Sequence, residues 1–266
     1  MLEPLLSDPL VLGAAQAAAA TLLALLVLLL ARSQGIHLER ETLIALVRGL
    51  VQVVAIGSIV LLLLNGPLWV SVPVLVAMMG IAASMAASRT GEIPGAFWTA
   101  LAGIGLGAGI VIASMTLVGA IDPAPSSLIP VGSMVVASAM NACTLALDRF
   151  RSEVQAHTGQ IEAALALGAE AGDTVRPYVQ AAAEASLIPA INSLRSLGIV
   201  WIPGLMAGMI LAGSDPVYAA IYQFVVIAML FAASGLSSIV CTRLVRGRAF
   251  SPAQQLVLRP GQVQND

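Results

Sequence analysis

Five polar side chains interrupt stretches of this chain that are otherwise apolar: Arg48, Gln52, Asn141, Asn192 and Arg195. Arg48 and Gln52 are four residues apart and share one helical face. Asn192 and Arg195 are spaced by about one turn. Counted from the predicted span ends, all five fall in the half of the bilayer nearest the cytosol, so three spans would bring polar groups to one level. An arginine at mid-bilayer costs about 2.5–3.5 kcal/mol on insertion scales, so each must meet protein, water or a solute. The chemistry such a set can do is binding or gating of a charged solute, and the five are candidates for a substrate path or gate. Blander roles stay open: Arg48 can snorkel to the headgroups, and Gln52, Asn141 and Asn192 can join helices. Two arginines without a buried carboxylate suit an anion, a phosphate-bearing lipid or a chelated metal better than a naked cation.

Several chemistries are missing. All twelve basic residues are arginine, so the lysine that an ordinary phosphate-binding loop needs is absent. ATP, if used, is hydrolysed by another subunit, and no cofactor or catalytic residue is expected here. His37 and His157 fall in predicted cytosolic loops, which excludes a Ser-His pair or a His-based metal site inside the membrane. Glu184, at a predicted cytosolic mouth, is the acid nearest the interior, whereas ion-coupled carriers place carboxylates at mid-membrane. Met78, Met79, Met85, Met115, Met134, Met140, Met206 and Met209 offer soft ligands, but methionine in an apolar bundle is ordinarily a gap-filler; no metal ligand set is assigned. Cys143 and Cys241 sit near predicted cytosolic helix ends, where a reducing environment disfavours a disulfide, and read as small packing residues. A net charge of -2 argues against a nucleic-acid partner.

The elements that must carry these residues are membrane helices. The chain of 266 residues is 59% hydrophobic and 10% charged, against about 25% charged in soluble domains. That composition predicts an all-α integral membrane protein with about seven transmembrane helices, at about 9–31, 43–64, 67–88, 94–119, 127–147, 183–212 and 216–243. No basic region precedes the first apolar run, which reads as a retained helix rather than a cleaved signal. Arg32, Arg40, Arg89, Arg149, Arg151, Arg176, Arg243, Arg246, Arg248 and Arg259 all fall on one side, while the opposite loops carry Glu3, Asp8, Asp122 and Asp215. The positive-inside rule puts the N-terminus outside and the C-terminus in the cytosol. Residues 1–250 form one permease-like domain, and 251–266 read as a disordered polar tail. Pro189 and Pro203, near Gly198, Gly204 and Gly208, make the sixth span the expected hinge. Gly103, Gly105, Gly107 and Gly109 permit close packing of the fourth.

The long polar loop, about 148–180, contains Ile161 to Gly168, an Ala-rich segment with Ile161, Ala164, Leu165 and Leu167 at roughly helical spacing. Gly168 is the expected helix stop and Pro177 the expected start of the next helix. The polar positions here are Gln160, Glu162 and Glu170, which anionic lipid would repel, so a protein contact is favoured over a helix resting on headgroups.

Here a family resemblance enters. Glu162-Ala163-Ala164, three residues and then Gly168 resembles the start of the EAA coupling motif of ABC transporter permeases, although the Ile-x-Leu-Pro of importers does not follow at the usual distance. Arg48 to Gln52, Met140 to Phe150, Ile188 to Gly198 and Pro203 to Pro216 are similar to FetB-type permeases, bacterial iron-export subunits with relatives in plant aluminium tolerance. The resemblance covers about residues 40 to 245. It implies a multi-pass subunit of a bacterial inner membrane, a homodimer, a separate FetA-like ATPase that binds the ATP, and export of iron or a metal-linked solute. Glu162, Ala163, Ala164, Leu167 and Gly168 would couple to that ATPase. An importer, an exporter of anionic or lipid-like cargo, and a membrane scaffold that transports nothing are the alternatives.

Overall fold

Apolar runs of 19 to 33 residues cannot leave their backbone polar groups unpaired in lipid, and helix formation is the local solution. A computed structural model describes residues 9–35, 39–90, 93–251 and 253–258. The element order is α1 (Pro9–Ser33), α2 (Glu39–Leu64), a short 3₁₀ turn (Leu68–Val70), α3 (Ser71–Arg89), α4 (Ala96–Leu117), α5 (Pro125–Ala156), α6 (Thr158–Ala166), α7 (Ala171–Thr174), α8 (Arg176–Ser196), α9 (Gly204–Leu211) and α10 (Pro216–Arg248). The protein is all-α. Among the described residues, six helices are long and apolar enough to cross a membrane: α1, α2, α3 (with the 3₁₀ turn), α4, α5 and α10. Glu3, Asp8, His37 and residues 259–266 lie outside the described residues.

Residues up to 62, with α1 and nearly all of α2, form one unit. Both helices there are largely apolar, with Arg48 and Gln52 the strongly polar exceptions within the α2 span, and Leu22, Leu26, Leu29, Val47, Val51 and Val54 are exposed, as lipid-facing residues are.

The second unit, residues 63–266, holds the core. Helices α5 and α10 pack on each other and on both α4 and α8, while α3 closes against α4 and α5. Of the four glycines in α4, Gly103 and Gly107 face α10. A Cβ at Gly103 would land on the Cys241 sulfur, and one at Gly107 on Ser237, with the Ala233 carbonyl 3.0 Å away. Gly105 and Gly109 have nothing within 4 Å.

Three expectations change. The sixth span is not one helix: α8 ends at Ser196, residues 197–203 are non-helical, and α9 has only 8 residues. Gly198 sits at φ +76 and donates to the Trp201 carbonyl at 3.0 Å, while Pro203 caps α9. Pro189 stays inside α8 without breaking it, and the interruption begins at Leu197, about two turns later. At 21 residues, α8 is about 31 Å long, enough to cross. Its Glu184, Asn192 and Arg195 dilute its apolarity.

The second change is at 148–156, expected as loop and found as the continuation of α5. Phe150 and Val154 are fully buried one turn apart, and Arg149–Glu153 (2.6 Å) and Arg151–Asp148 (3.3 Å) pair along the surface. The third concerns the tail. Residues 253–258 fold back, with Val257 donating to the Ala249 carbonyl at 2.9 Å and Leu256 and Leu258 buried, because two leucines in this polar stretch find the core.

Gly103→Ala should destabilise the fold by about 1–3 kcal/mol through overpacking and so lower the melting temperature in detergent. Gly105→Ala, placing the same methyl in open space, should hold or raise it. A paired thermal-shift measurement checks both.

Candidate functional site

Two places in the second unit carry chemistry. One is the α6–α7 segment. Helix α6 is pinned by a single buried side chain, Ile161, 1% exposed and part of the cluster that holds Phe150, Val154, Val175 and Val245. Its end is a Schellman motif: Gly168 at φ +89 donates to the Leu165 carbonyl, and Ala169 to that of Ala164, both at 3.0 Å. That closure leaves Leu167 90% exposed, so the expected apolar stripe is split, with Ile161 inward and Leu167 outward. Glu162, Ala163 and Gly168 are exposed and Ala164 half-buried. From the far side, Arg246 of α10 donates to the Gly172 carbonyl at 2.9 Å and pairs with Asp173 at 3.2 Å. His157 stacks on Tyr178 with ring centroids 4.8 Å apart. Pro177 sits in the first turn of α8, which begins at Arg176.

The other place is a cleft of about 220 Å³ between α5, α8 and α10, lined in part by Ser138, Asn141, Ser186, Pro189, Ser193 and Ser234. Ser138 and Ser234 hydroxyls pair at 2.8 Å across α5 and α10. Ser186 and Ser238 pair at 2.6 Å across α8 and α10. Asn141 therefore shares a level with Pro189 and Ser193. Asn192 and Arg195 are exposed on another face of α8 and make no hydrogen bond or ion pair among the described residues. Gln180 and Glu184 share that exposed face. Arg48 and Gln52 are exposed on α2, in the first unit.

The serines went unnoticed in the sequence. Ser234, Ser238 and Thr242 recur every fourth residue of α10, and that spacing was the available signal. Cys143 and Cys241, read as unlinked packing residues, instead form a disulfide between α5 and α10, with Cα atoms 6.1 Å apart; the close packing at Gly103 brings Cys241 onto that seam. Asp215 caps α10, accepting from the Val217 and Tyr218 amides at 2.9 Å. Met78, Met85 and Met140 line an open groove of about 250 Å³. No cluster of three or more His, Cys, Asp or Glu that could hold a metal occurs among the described residues.

Comparison with known proteins fits a helical membrane chain of this layout. The model of the "Uncharacterised protein family (UPF0014)" matches residues 14–250. The chain belongs to the UPF0014 family. The UPF0014 membrane protein slr1647 of Synechocystis is 34% identical over 236 residues, 85% of this chain and 89% of that protein. The Escherichia coli protein named "Probable iron export permease protein FetB" is 30% identical, covering 91% and 93%. Arabidopsis thaliana "Protein ALUMINUM SENSITIVE 3" is also 30% identical, covering 92% and 90%. No solved structure matches. In this UPF0014 chain the breadth of the match takes in α3 to α10, and with them both the α6 surface and the serine cleft.

Ile161→Ala should destabilise the α6–α7 segment by about 2–4 kcal/mol, read as faster amide exchange over 158–175. Leu167→Ala, at a solvent-facing position, should leave that exchange unchanged.

Proposed function

We propose that this UPF0014 protein is the membrane-spanning subunit of an ABC transporter, exporting a metal cation or metal-linked solute with energy from a separate ATPase. One observation supports this above others: α6 is anchored by Ile161 yet ends in a bare Leu167 beside a left-handed Gly168. A side chain that apolar, held out by a rigid helix stop, suits insertion into a groove of a partner. Glu162, Ala163, Ala164, Leu167 and Gly168 are the contact surface, and the small alanines allow close approach. The likeness to a relative named a probable iron export permease supports export as the direction and a metal as the cargo class.

The orientation follows the arginines. Arg89, Arg149, Arg151, Arg176 and Arg243 to Arg248 all lie toward the α6–α7 end of the second unit, which supports a cytosolic position for that end and an external N-terminus; the named bacterial relatives support a bacterial inner membrane. The exposed face of α8, with Glu184, Asn192 and Arg195, cannot rest against lipid at low cost. In a homodimer it faces the second copy, and Asn192 and Arg195 belong to the path or its gate; Asn141 of the serine cleft, and separately Arg48 and Gln52 of the first unit, are candidates for the same role. The break at 197–203 provides the bend, with Pro203 at its outer limit.

A tagged chain should retain an ATP-binding subunit in detergent, and Leu167→Asp or Gly168→Val should release it by more than about tenfold. Copurification of an equal amount with both variants would overturn the docking surface, and no ATP-binding partner even with the unaltered chain would leave a membrane scaffold. In the assembled complex, Arg195→Leu should reduce transport-coupled ATPase activity while assembly persists; wild-type activity in that variant removes Arg195 from the path.

A further inference from the structure

The cleft between α5, α8 and α10 has a donor and acceptor balance that selects among cargoes. Ser186 donates its one hydroxyl proton to the Ala183 carbonyl at 2.8 Å, so Ser238 is the donor in the 2.6 Å pair between them. Ser193 donates to the Pro189 carbonyl at 3.1 Å. Ser138 and Ser234 share a 2.8 Å contact, and the carbonyls available to them are Leu230 at 3.3 Å and Ser138 at 3.4 Å. Each of these hydroxyl protons is thus spent within the protein, and oxygen lone pairs are what remain for the cleft. Asn141 adds an amide that can turn its oxygen inward. An anion would find one donor group here. A species rich in O–H donors finds oxygen acceptors set between the apolar Ala142, Leu145, Pro189 and Ala190.

We infer that this cleft is a site for a hard divalent cation that keeps its water shell, held through the waters by the neutral oxygens of Ser138, Asn141, Ser186, Ser193 and Ser234. The inference rests on the transport reading above and specifies the form in which that cargo passes. A cation with six first-shell waters needs about 180 Å³ at about 30 Å³ per water, and the cleft offers about 220 Å³. A bare divalent ion would need charged ligands to offset dehydration, and small hard cations give up water reluctantly. The lining contains no carboxylate, imidazole or thiol. Neutral oxygens suit a hydrated ion, which they bind weakly enough to release, as a passing cargo requires. Arg195 is two residues from Ser193 and Glu184 two before Ser186, so both lie about 200° round the helix from the cleft-lining positions. Neither charge shares the cleft with the ion.

The test uses the purified full-length chain in nanodiscs of phosphatidylcholine, with Mn2+ alone as the probe and bound ion counted by electron paramagnetic resonance. The wild type should bind Mn2+, and hexaamminecobalt(III), which cannot shed its ligands, should displace it. Ala190→Leu, filling the cleft without touching a hydroxyl, should weaken binding more than about tenfold; Asn141→Asp, adding a carboxylate, should tighten it about tenfold or more. The Asp variant carries the test if the Leu variant fails to fold. Absence of wild-type binding, failure of the cobalt complex to compete, or unchanged affinity in Asn141→Asp each overturns the site. ATPase copurification is scored on the same preparations: a retained partner with no Mn2+ site sinks this inference alone, and a Mn2+ site with no partner sinks the transporter reading instead.

Discussion

In lipid, apolar surface gains nothing from leaving one apolar neighbour for another, so helices associate through close contact and shared polar groups. Helix α10 meets that constraint for the whole second unit. Ser234 reaches α5, Ser237 donates to the Gly103 carbonyl of α4 at 2.9 Å, and Ser238 reaches α8. The three serines fall within five residues and radiate to three different helices. The absent side chains of Gly103 and Gly107 are the complement of that arrangement, since a methyl group at either would push α10 away and stretch the hydroxyl contacts on its other sides. Packing and polar satisfaction therefore depend on each other here, which accounts for the Gly, Ala and Ser along the seam between α4 and α10.

The same helix links the two functional places. Arg246 grips the Gly172–Asp173 turn beneath α6. Ser234 lies twelve residues along the same continuous helix, about 18 Å away. A push on α6 has a rigid element to act on, with no loop between the contact and the cleft. Ile161 and Val175, buried in the cluster that contains Val245, stiffen the near end of that connection.

How much of this was legible beforehand varied with the physical signal. Hydropathy located α1 to α4 and α10 closely, because a span of unbroken apolar residues has one solution in a bilayer. Glycine and proline marked the α6 stop at Gly168 and the α8 start near Pro177. The extension of α5 past Leu147 was hidden by charge: Asp148 to Glu153 reads as solvent-exposed, and only the four-residue spacing of Phe150 and Val154 betrays a buried face. The gap at 197–203 was hidden for the opposite reason, since Ile199, Val200, Trp201 and Ile202 keep the apolar run going while Gly198 turns the backbone. Candidate polar residues were sought by charge and amide content, which favours Arg195 and Asn192. Serines count as small packing residues in such a search, so the cleft stayed out of view until three helices placed them face to face.

The walls of the serine cleft are unequally attached. Helices α5 and α10 are joined by a hydroxyl pair and, five residues further along α5, by the Cys143–Cys241 bond. Helix α8 meets α10 through one hydroxyl pair, Ser186 with Ser238, and beyond Ser196 it loses helical continuity altogether. With a covalent bond on one flank and only packing and one hydroxyl pair on the other, α8 is the wall of the compartment that can shift without breaking a bond.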